Sequence, residues 1–568
     1  MDQRLKLSVP LILATVLLLT VSTNAQVPKV FNANVPAGFG TAGYIQAATV
    51  DTPGDSLSGG TLTINGIKMT VPRNSVVQFP ANTLGWGDLF DPAVYGPVYE
   101  PTLPGVTNLN VTPGTSGLAL LDNPAHDPLL SPFLPFNANV LGNIDLKNAP
   151  GTGGSYIVGL ILPIDQDLGN GGAGFITCID YTKGRFEVGG TVSSTGLCGA
   201  TPTGTLIEID DPLGRYGWAH SPDPRWSVDA DNPTIAAGNG YPMCLPRYDP
   251  KVQIDPDCPI YNRPLNTAGD PFLPLGAPLQ VITMPAKAHT NANPLTDQTL
   301  DPWKPAPLMV GDYVAYAGVM YKIDPNVPLS TTIPVNQQTY ISANTVGPDK
   351  VEVITAPCPS GTTQCTGTVG PAYMQLARMV IGTGGTPLTV LPSATLGIPG
   401  GTIPLPEPRN NIVITGFVTD STQLVDIFAV DINPSTGAET HRLLGTVLPE
   451  PGFPGGRGNK GRFRFEVGKG SFGNRTRVYM AQSHHGTVQV PNQTVGTIHP
   501  PQGGLLSGQY HAPMFTFQFP DAPPGFPIIP QNFNSMPFLT QGEGGNVSLG
   551  PLAPFPPFCP GVVPTCQP

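Results

Sequence analysis

Charged residues and uninterrupted stretches of helix length are both scarce in this chain. Asp, Glu, Lys and Arg make up 11% of the 568 residues, whereas ordinary soluble domains contain about 25%. The 70 prolines and 68 glycines leave few windows of helix length without a helix-breaking residue. Long helices are therefore nearly excluded. The hydrophobic residues, 40% of the chain, must build their core from short strands joined by long loops.

Long apolar runs are scarce as well, and the one that occurs lies near the N-terminus. Arg4 and Lys6 precede the apolar run 11–21, and small residues end at Ala25. This pattern predicts a signal peptide at 1–25 and a secreted, extracellular protein without a membrane span after cleavage. The alternative, an anchoring helix, is disfavoured because the run is short. The formal net charge of −11 disfavours nucleic acid as a partner.

Cysteine and sequon spacing fit the same compartment. The eight cysteines occur as neighbouring pairs, which predicts local disulfide bonds. The simplest pairing is Cys178–Cys198, Cys244–Cys258, Cys358–Cys365 and Cys559–Cys566. Eight cysteines allow 105 pairings, and metal ligation is disfavoured because the spacings match no zinc pattern. Four sequons would carry glycans in a eukaryotic source: Asn110, Asn474, Asn492 and Asn546.

Hairpin signals recur along the first two thirds of the chain. In 174–188, apolar and polar residues alternate around a turn that ends at Gly184. In 61–71, Asn65-Gly66 is the preferred pair for a two-residue type I′ turn. The pattern, repeated at 310–323, resembles small β-barrels of the oligonucleotide/oligosaccharide-binding type found in secreted bacterial domains of unknown function. The resemblance covers about half of the chain and implies a fold without assigning functional residues.

The strand pattern changes after residue 405, and the expected fold is all-β throughout. Phe463 and Phe465 alternate with Arg462 and Arg464, as in a strand with one buried face, and the region resembles an immunoglobulin-like sandwich. The predicted fold class is all-β: several small β-barrel modules plus a C-terminal β-sandwich, long Pro/Gly-rich loops and very little helix. The predicted division is a signal peptide at 1–25, β-barrel modules at 26–150, 151–270 and 271–405, an immunoglobulin-like sandwich at 406–522 and a Pro-rich tail at 523–568.

One short segment concentrates aromatic and polar side chains. Residues 215–226 contain two of the four tryptophans, and saccharide sites combine flat aromatic faces with polar groups. The candidate ligand-binding residues are Tyr216, Trp218, His220, Asp223 and Trp226. The alternative is that the tryptophans close the end of a barrel, which is the more common fate of such aromatics.

Metal sites are weaker candidates. His484, His485, His499 and His511 could together hold copper or zinc if about three of them converge. Asp165 and Asp167 have the spacing that begins a calcium loop, but no glutamate closes it. The ordinary interpretations are solvated loop histidines and an Asp/Gly turn. We therefore expect no cofactor, with calcium, copper or zinc as alternatives.

The chain contains no recognisable catalytic motif, so no catalytic residue is assigned. These features favour a structural or adhesive protein of the cell surface or extracellular matrix that meets polysaccharide or other surface proteins. The alternatives are a carbohydrate-binding protein that uses the segment around Trp218 and Trp226, and a metal-dependent secreted enzyme that uses the His484/His485 region.

Overall fold

The protein is almost entirely β-structure. A computed structural model describes residues 37–73, 75–80, 83–91, 114–122, 135–145, 155–166, 171–229, 232–267, 273–286, 299–324, 327–358, 370–382, 389–392, 402–405, 412–432, 439–451, 460–467, 478–491, 503–513 and 516–518. Strand accounts for 47% and helix for 4%, and no helix in these ranges reaches seven residues. The short 3-10 helices are Gly87–Phe90, Pro224–Trp226, Ile260–Asn262 and Val335–Gln337. The all-β prediction is confirmed.

Several predictions fall outside the described residues. These are the signal peptide at 1–25, the tail at 523–568, Asp167, His499, the cysteines Cys365, Cys559 and Cys566, and the sequons Asn110, Asn474, Asn492 and Asn546. Within the described ranges, no helix has the length and apolar character needed to cross a membrane.

The N-terminal part of the chain forms a seven-stranded sheet that curls into a ring. Its strands are β1 (Ala37–Val50), β2 (Gly60–Ile64), β3 (Ile67–Val71), β4 (Val76–Gln78), β5 (Thr83–Gly85), β6 (Phe136–Asp145) and β7 (Ser155–Gln166). The turn between β2 and β3 places Asn65 at φ 52° and Gly66 at φ 74°, as a type I′ turn requires. A parallel pairing between β3 and β7 joins β1, β2, β3, β7 and β6 into a ring.

The next region contains a closed five-stranded barrel. The nine strands described in this region, five of which form the barrel, are β8 (Gly171–Asp180), β9 (Arg185–Val188), β10 (Thr205–Ile209), β11 (Met243–Cys244), β12 (Val281–Thr283), β13 (Ala306–Pro307), β14 (Tyr313–Lys322), β15 (Thr339–Pro348) and β16 (Glu352–Ile354). The barrel order is β10-β15-β14-β8-β9, and β10 and β15 form its parallel pair. The remaining strands form two small two-stranded sheets, β11-β13 and β12-β16.

The two rings share one pairing pattern. In the first ring, β1, β2 and β3 pair antiparallel in sequence, β3 pairs parallel with β7, and β6 pairs antiparallel with both β7 and β1. In the second ring, β8, β9 and β10 pair antiparallel in sequence, β10 pairs parallel with β15, and β14 pairs antiparallel with both β15 and β8. The prediction of related barrels therefore has a counterpart in strand pairing. The predicted boundaries do not coincide with these sheets. Residue 150 lies between the paired strands β6 and β7, and segments on both sides of residue 270 contribute to one barrel.

Two four-stranded sheets follow, with one hydrophobic core between them. The strands are β17 (Met374–Gly382), β18 (Thr389–Pro392), β19 (Thr402–Leu405), β20 (Ile412–Val418), β21 (Val425–Ile432), β22 (Glu439–Val447), β23 (Arg462–Val467), β24 (Val478–Ser483), β25 (Val488–Pro491), β26 (Gly503–Ser507), β27 (Gln509–Pro513) and β28 (Thr516–Gln518). The orders of the two four-stranded sheets are β23-β20-β17-β28 and β22-β21-β24-β27, and the other four strands form two-stranded sheets, β18-β19 and β25-β26. β17 precedes the predicted sandwich boundary at 406. The immunoglobulin-like resemblance itself stays a prediction.

The side chains of β23 alternate as predicted. Phe463 and Phe465 are buried in the core between the two sheets. Arg464 and Glu466 are exposed and form an ion pair of 2.9 Å. The predicted register of this strand is therefore confirmed.

Candidate functional site

The strongest candidate site is a cleft of about 560 Å³ on the outside of the barrel. Residues 179–183 at the turn between β8 and β9 form one side, residues 197–200 form a second, and residues 247–249, 252 and 253 form a third. Two disulfide bonds, Cys178–Cys198 and Cys244–Cys258, tie the second and third segments to their surroundings. Both disulfides were predicted from cysteine spacing and are confirmed. Cys358 is disulfide-bonded as well.

The hairpin turn that borders the cleft is held by its own polar groups. Asp180 Oδ1 accepts hydrogen bonds from the backbone N–H and hydroxyl of Thr182 (3.1 and 2.6 Å) and from the N–H of Lys183 (3.2 Å). Gly184 ends the turn at φ 66°, a conformation that favours glycine. A methyl group there would lie 2.9 Å from Trp218 Cδ1. The turn therefore needs glycine for its backbone conformation and for contact with the indole.

Aromatic rings form one wall of the site. Trp218 donates its indole N–H to the Tyr181 carbonyl (2.8 Å), and its ring meets Tyr248 edge-on with centroids 6.3 Å apart. All three side chains are half-buried, so part of each ring stays accessible. Burial, with the negative charge of Asp249 as a second cause, raises the pKa of Tyr181 to about 12. The phenol therefore keeps its proton at neutral pH and can donate a hydrogen bond.

Buried ion pairs hold the third side of the cleft, the segment that carries Tyr248, in place. Arg247 Nε donates to Asp255 Oδ2 (2.8 Å), and Arg247 Nη2 donates to Asp257 Oδ2 (2.8 Å). Lys304 Nζ donates to the other oxygen of Asp257 (3.1 Å). Within the Cys244–Cys258 loop, these contacts fix the backbone that carries Tyr248 and Asp249. Since its guanidinium is already paired with two carboxylates, Arg247 braces the wall and is not an anion receptor.

A second polar cluster lies beneath the segment that follows β10. Glu208 contacts Arg185 Nε, and its second oxygen lies 2.7 Å from His220 Nε2. Ser342 donates to the neighbouring Asp210 (3.1 Å). Burial raises the pKa of Asp210 to about 8, although hydrogen bonding to Ser221 opposes the shift. The carboxyl side chains of Glu208 and Asp210 are 1% and 0% exposed, so this cluster is closed to substrates and acts in packing.

The structure separates the five residues that the sequence groups into one binding segment. Trp218 alone borders the cleft. Tyr216 lies in the barrel core, and Trp226 lies in the core of the first sheet, stacked on Phe136 with centroids 4.7 Å apart. His220 is buried against Glu208, and Asp223 is buried against Arg225 (2.7 Å). The core alternative therefore describes Trp226, whereas ligand binding at Trp218 stays a prediction.

The three described candidate histidines do not share one site. His484 Nε2 lies 2.9 Å from Asp426, and His485 Nδ1 lies 2.8 Å from Asp420. His511 pairs through its backbone N–H with Asn232 (2.9 Å).

In the described part of the chain, two groups of three side chains place potential metal-ligand atoms close to one another. They are Cys178/Glu187/Cys198 and Cys358/Asp420/His485. Every cysteine in these groups is disulfide-bonded, and the thiolate is the form that ligates metals. Neither group therefore offers the cysteine ligand that its composition suggests.

Sequence reasoning missed most of the cleft. Tyr181 lies in the predicted hairpin turn, and Tyr248 and Asp249 lie inside the predicted Cys244–Cys258 loop. Local signals located both segments, but nothing in the sequence indicated that the two segments meet. Comparison of the chain with protein-family models, with curated proteins and with solved structures finds no match.

Proposed function

We propose that this chain is a secreted, adhesive protein of the cell surface or extracellular matrix that binds a saccharide in the cleft beside Trp218. The observation that carries the proposal is that Tyr181 and Tyr248 line the cleft together with polar side chains, while Trp218 packs against both of them. Aromatic faces pack against the apolar faces of sugar rings, while a few placed polar groups orient the ligand.

The polar rim suits hydroxyl groups. Asp249 presents carboxylate oxygens, Gln253 presents an amide, and Thr182 presents a hydroxyl. The Gln253 amide can donate to a saccharide hydroxyl, whereas the Asp249 carboxylate and the Thr182 hydroxyl, which already donates to Asp180, can accept from one. Two disulfides and the Arg247 ion pairs hold the rim in place, which lowers the entropy lost on binding.

The barrel supports the same proposal. The pairing of the five strands resembles the oligonucleotide/oligosaccharide-binding barrel, in which the loop between the first two strands contributes to the ligand site. The corresponding loop here joins β8 to β9 and carries Tyr181. The acidic chain, with a net charge of −11, favours a saccharide over an oligonucleotide.

Compartment and disulfides agree with an extracellular role. The N-terminal segment has the pattern of a signal peptide, and the described disulfides belong to oxidising environments. The metal-dependent enzyme is the weaker proposal, because His484 and His485 contact different carboxylates.

A glycan array followed by calorimetry tests the proposal with the purified full-length chain. Tyr248→Ala should weaken binding of any array-positive glycan about tenfold, because one half-buried aromatic face is lost. Tyr44→Ala is the matched control, since Tyr44 is an exposed aromatic on β1 outside the cleft. If no glycan binds, or if Tyr248→Ala behaves like Tyr44→Ala, the proposed site is wrong.

A further inference from the structure

An exposed apolar track runs from the cleft along the outside of β8. Leu197 and Val252 line the cleft and are both exposed. Phe175, on β8, is 56% exposed, and Tyr313, its partner on β14, is 41% exposed. Large side chains with this exposure on two neighbouring barrel strands form a surface feature that the core does not require.

The backbone shows that the track is continuous. The N–H of Ser193 donates to the Thr177 carbonyl (3.0 Å), and the N–H of Ile179 donates to the Gly196 carbonyl (2.9 Å). Residues 193–197 therefore run beside the second half of β8. The exposed Val192 and Leu197 therefore lie at the two ends of a segment that runs beside β8, with Leu197 at the cleft.

The far end of the track is flat and aromatic. The rings of Phe175 and Tyr313 meet edge-on, with centroids 5.1 Å apart. The next outward pair on the same two strands is Ala173 opposite Ala315, and both are exposed. Small neighbours leave the ring faces of the aromatic pair accessible to a planar ligand.

Charge narrows the ligand class. The cationic side chains that line or border the cleft already contact acceptors: Lys183 lies 3.9 Å from Asp180, Arg247 binds two carboxylates, and Lys251 Nζ donates to the Thr195 carbonyl (3.1 Å). Asp249 adds a carboxylate to the rim. An anionic polysaccharide would have to displace these cations from their acceptors and would also meet the Asp249 carboxylate.

We propose that the cleft and the track form one elongated site for an uncharged polysaccharide chain, with sugar rings at the Tyr181–Tyr248 end and at the Phe175–Tyr313 pair. The inference rests on the proposed saccharide-binding function and specifies its ligand. The five residue steps from Phe175 to Asp180 span about 16 Å of strand, a length that one sugar ring does not cover. Binding should therefore depend on chain length.

Calorimetry with cello- and chito-oligosaccharides, from disaccharide to hexasaccharide, tests the inference on the full-length chain. The hexasaccharide of the bound series should bind at least tenfold more tightly than the disaccharide. Phe175→Ala and Tyr313→Ala should weaken the hexasaccharide about five- to tenfold and leave the disaccharide unchanged. Tyr248→Ala should weaken both, and Tyr44→Ala neither. Polygalacturonate serves as the anionic comparison and should bind more weakly than the hexasaccharide.

The outcomes separate the two proposals. Equal affinity for both lengths, no effect of Phe175→Ala, or preference for polygalacturonate overturns the elongated uncharged site and leaves the cleft in place. If the protein binds neither oligosaccharide series and no glycan on the array, both the cleft and the track are overturned. Phe175 and Tyr313 are both exposed, so their truncation should preserve the fold, and an unchanged thermal midpoint verifies this.

Discussion

Replacing Asp210 by asparagine should remove a large pH dependence from the stability of the barrel. The Asp210 carboxyl is fully buried and accepts a hydrogen bond from Ser342. Burial raises its pKa from 3.8 to about 8, with Ser221, His220 and Asp223 also acting on it. In the folded protein at neutral pH, Asp210 therefore holds a proton that the unfolded chain has released.

The sign and size of the effect follow from this difference. Between pH 4 and pH 8 the folded state binds more protons than the unfolded state, so the free energy of unfolding falls as pH rises. One group contributes a slope of about 1.4 kcal/mol per pH unit. From pH 5 to pH 7, the Asp210 contribution should fall by about 2 to 3 kcal/mol. Asparagine is nearly isosteric with the protonated acid and has no such proton to lose.

Urea unfolding of the full-length chain at pH 5, 6 and 7, followed by tryptophan fluorescence, measures the effect. Asp210→Asn should gain stability relative to the wild type as pH rises. Asp51→Asn is the control, because it removes a carboxylate from an exposed position and reports the influence of net charge alone. A stability difference between Asp210→Asn and the wild type that stays constant from pH 5 to pH 7 would refute the assignment of a buried, protonated Asp210.

Two further predictions concern packing and turn geometry. Phe463→Ala should lower the free energy of unfolding by about 3–5 kcal/mol through lost burial and a cavity. Arg464→Ala on the same strand should lower the free energy of unfolding by less than about 0.5 kcal/mol. Equal losses in urea melts would mean that the β23 register is wrong. Gly184→Ala should lower the free energy of unfolding by more than Gly54→Ala does. Both glycines have a left-handed φ, but only at Gly184 would the added methyl group meet a ring, 2.9 Å from Trp218. Thermal melts that rank the two variants in the opposite order would contradict the packing of Trp218 on the turn.

Local features of this fold were predictable because their causes are local. Asn65 and Gly66 adopt the left-handed conformations that their residue types favour. Alternation alone predicted which side of β23 is buried. The disulfides Cys178–Cys198 and Cys244–Cys258 join neighbours in sequence. In each case, the relevant energy depends on residues within one hairpin or one short loop.

Features that depend on distant pairing were not predictable in this way. Strand periodicity indicates that β10 and β15 exist, but it does not indicate that they pair in parallel. For the same reason, three barrel modules were expected where the described residues form two strand rings. Trp218 and Trp226 lie in one loop with similar neighbours, yet one borders a cleft and the other enters the core of another sheet. Burial of an aromatic depends on which surface it reaches.

The long-range closure of the barrel has a consequence for the order of folding. Asp210 and its partner Ser342 are 132 residues apart in the chain, whereas the two described disulfides span 20 and 14 residues. Loop-closure entropy favours the short contacts first, so we expect hairpins and disulfides to form before β15 is in place. Until then β10 presents an open strand edge, which is a template for aggregation. We therefore expect chains that end before β15 to aggregate more readily than chains that extend past residue 348.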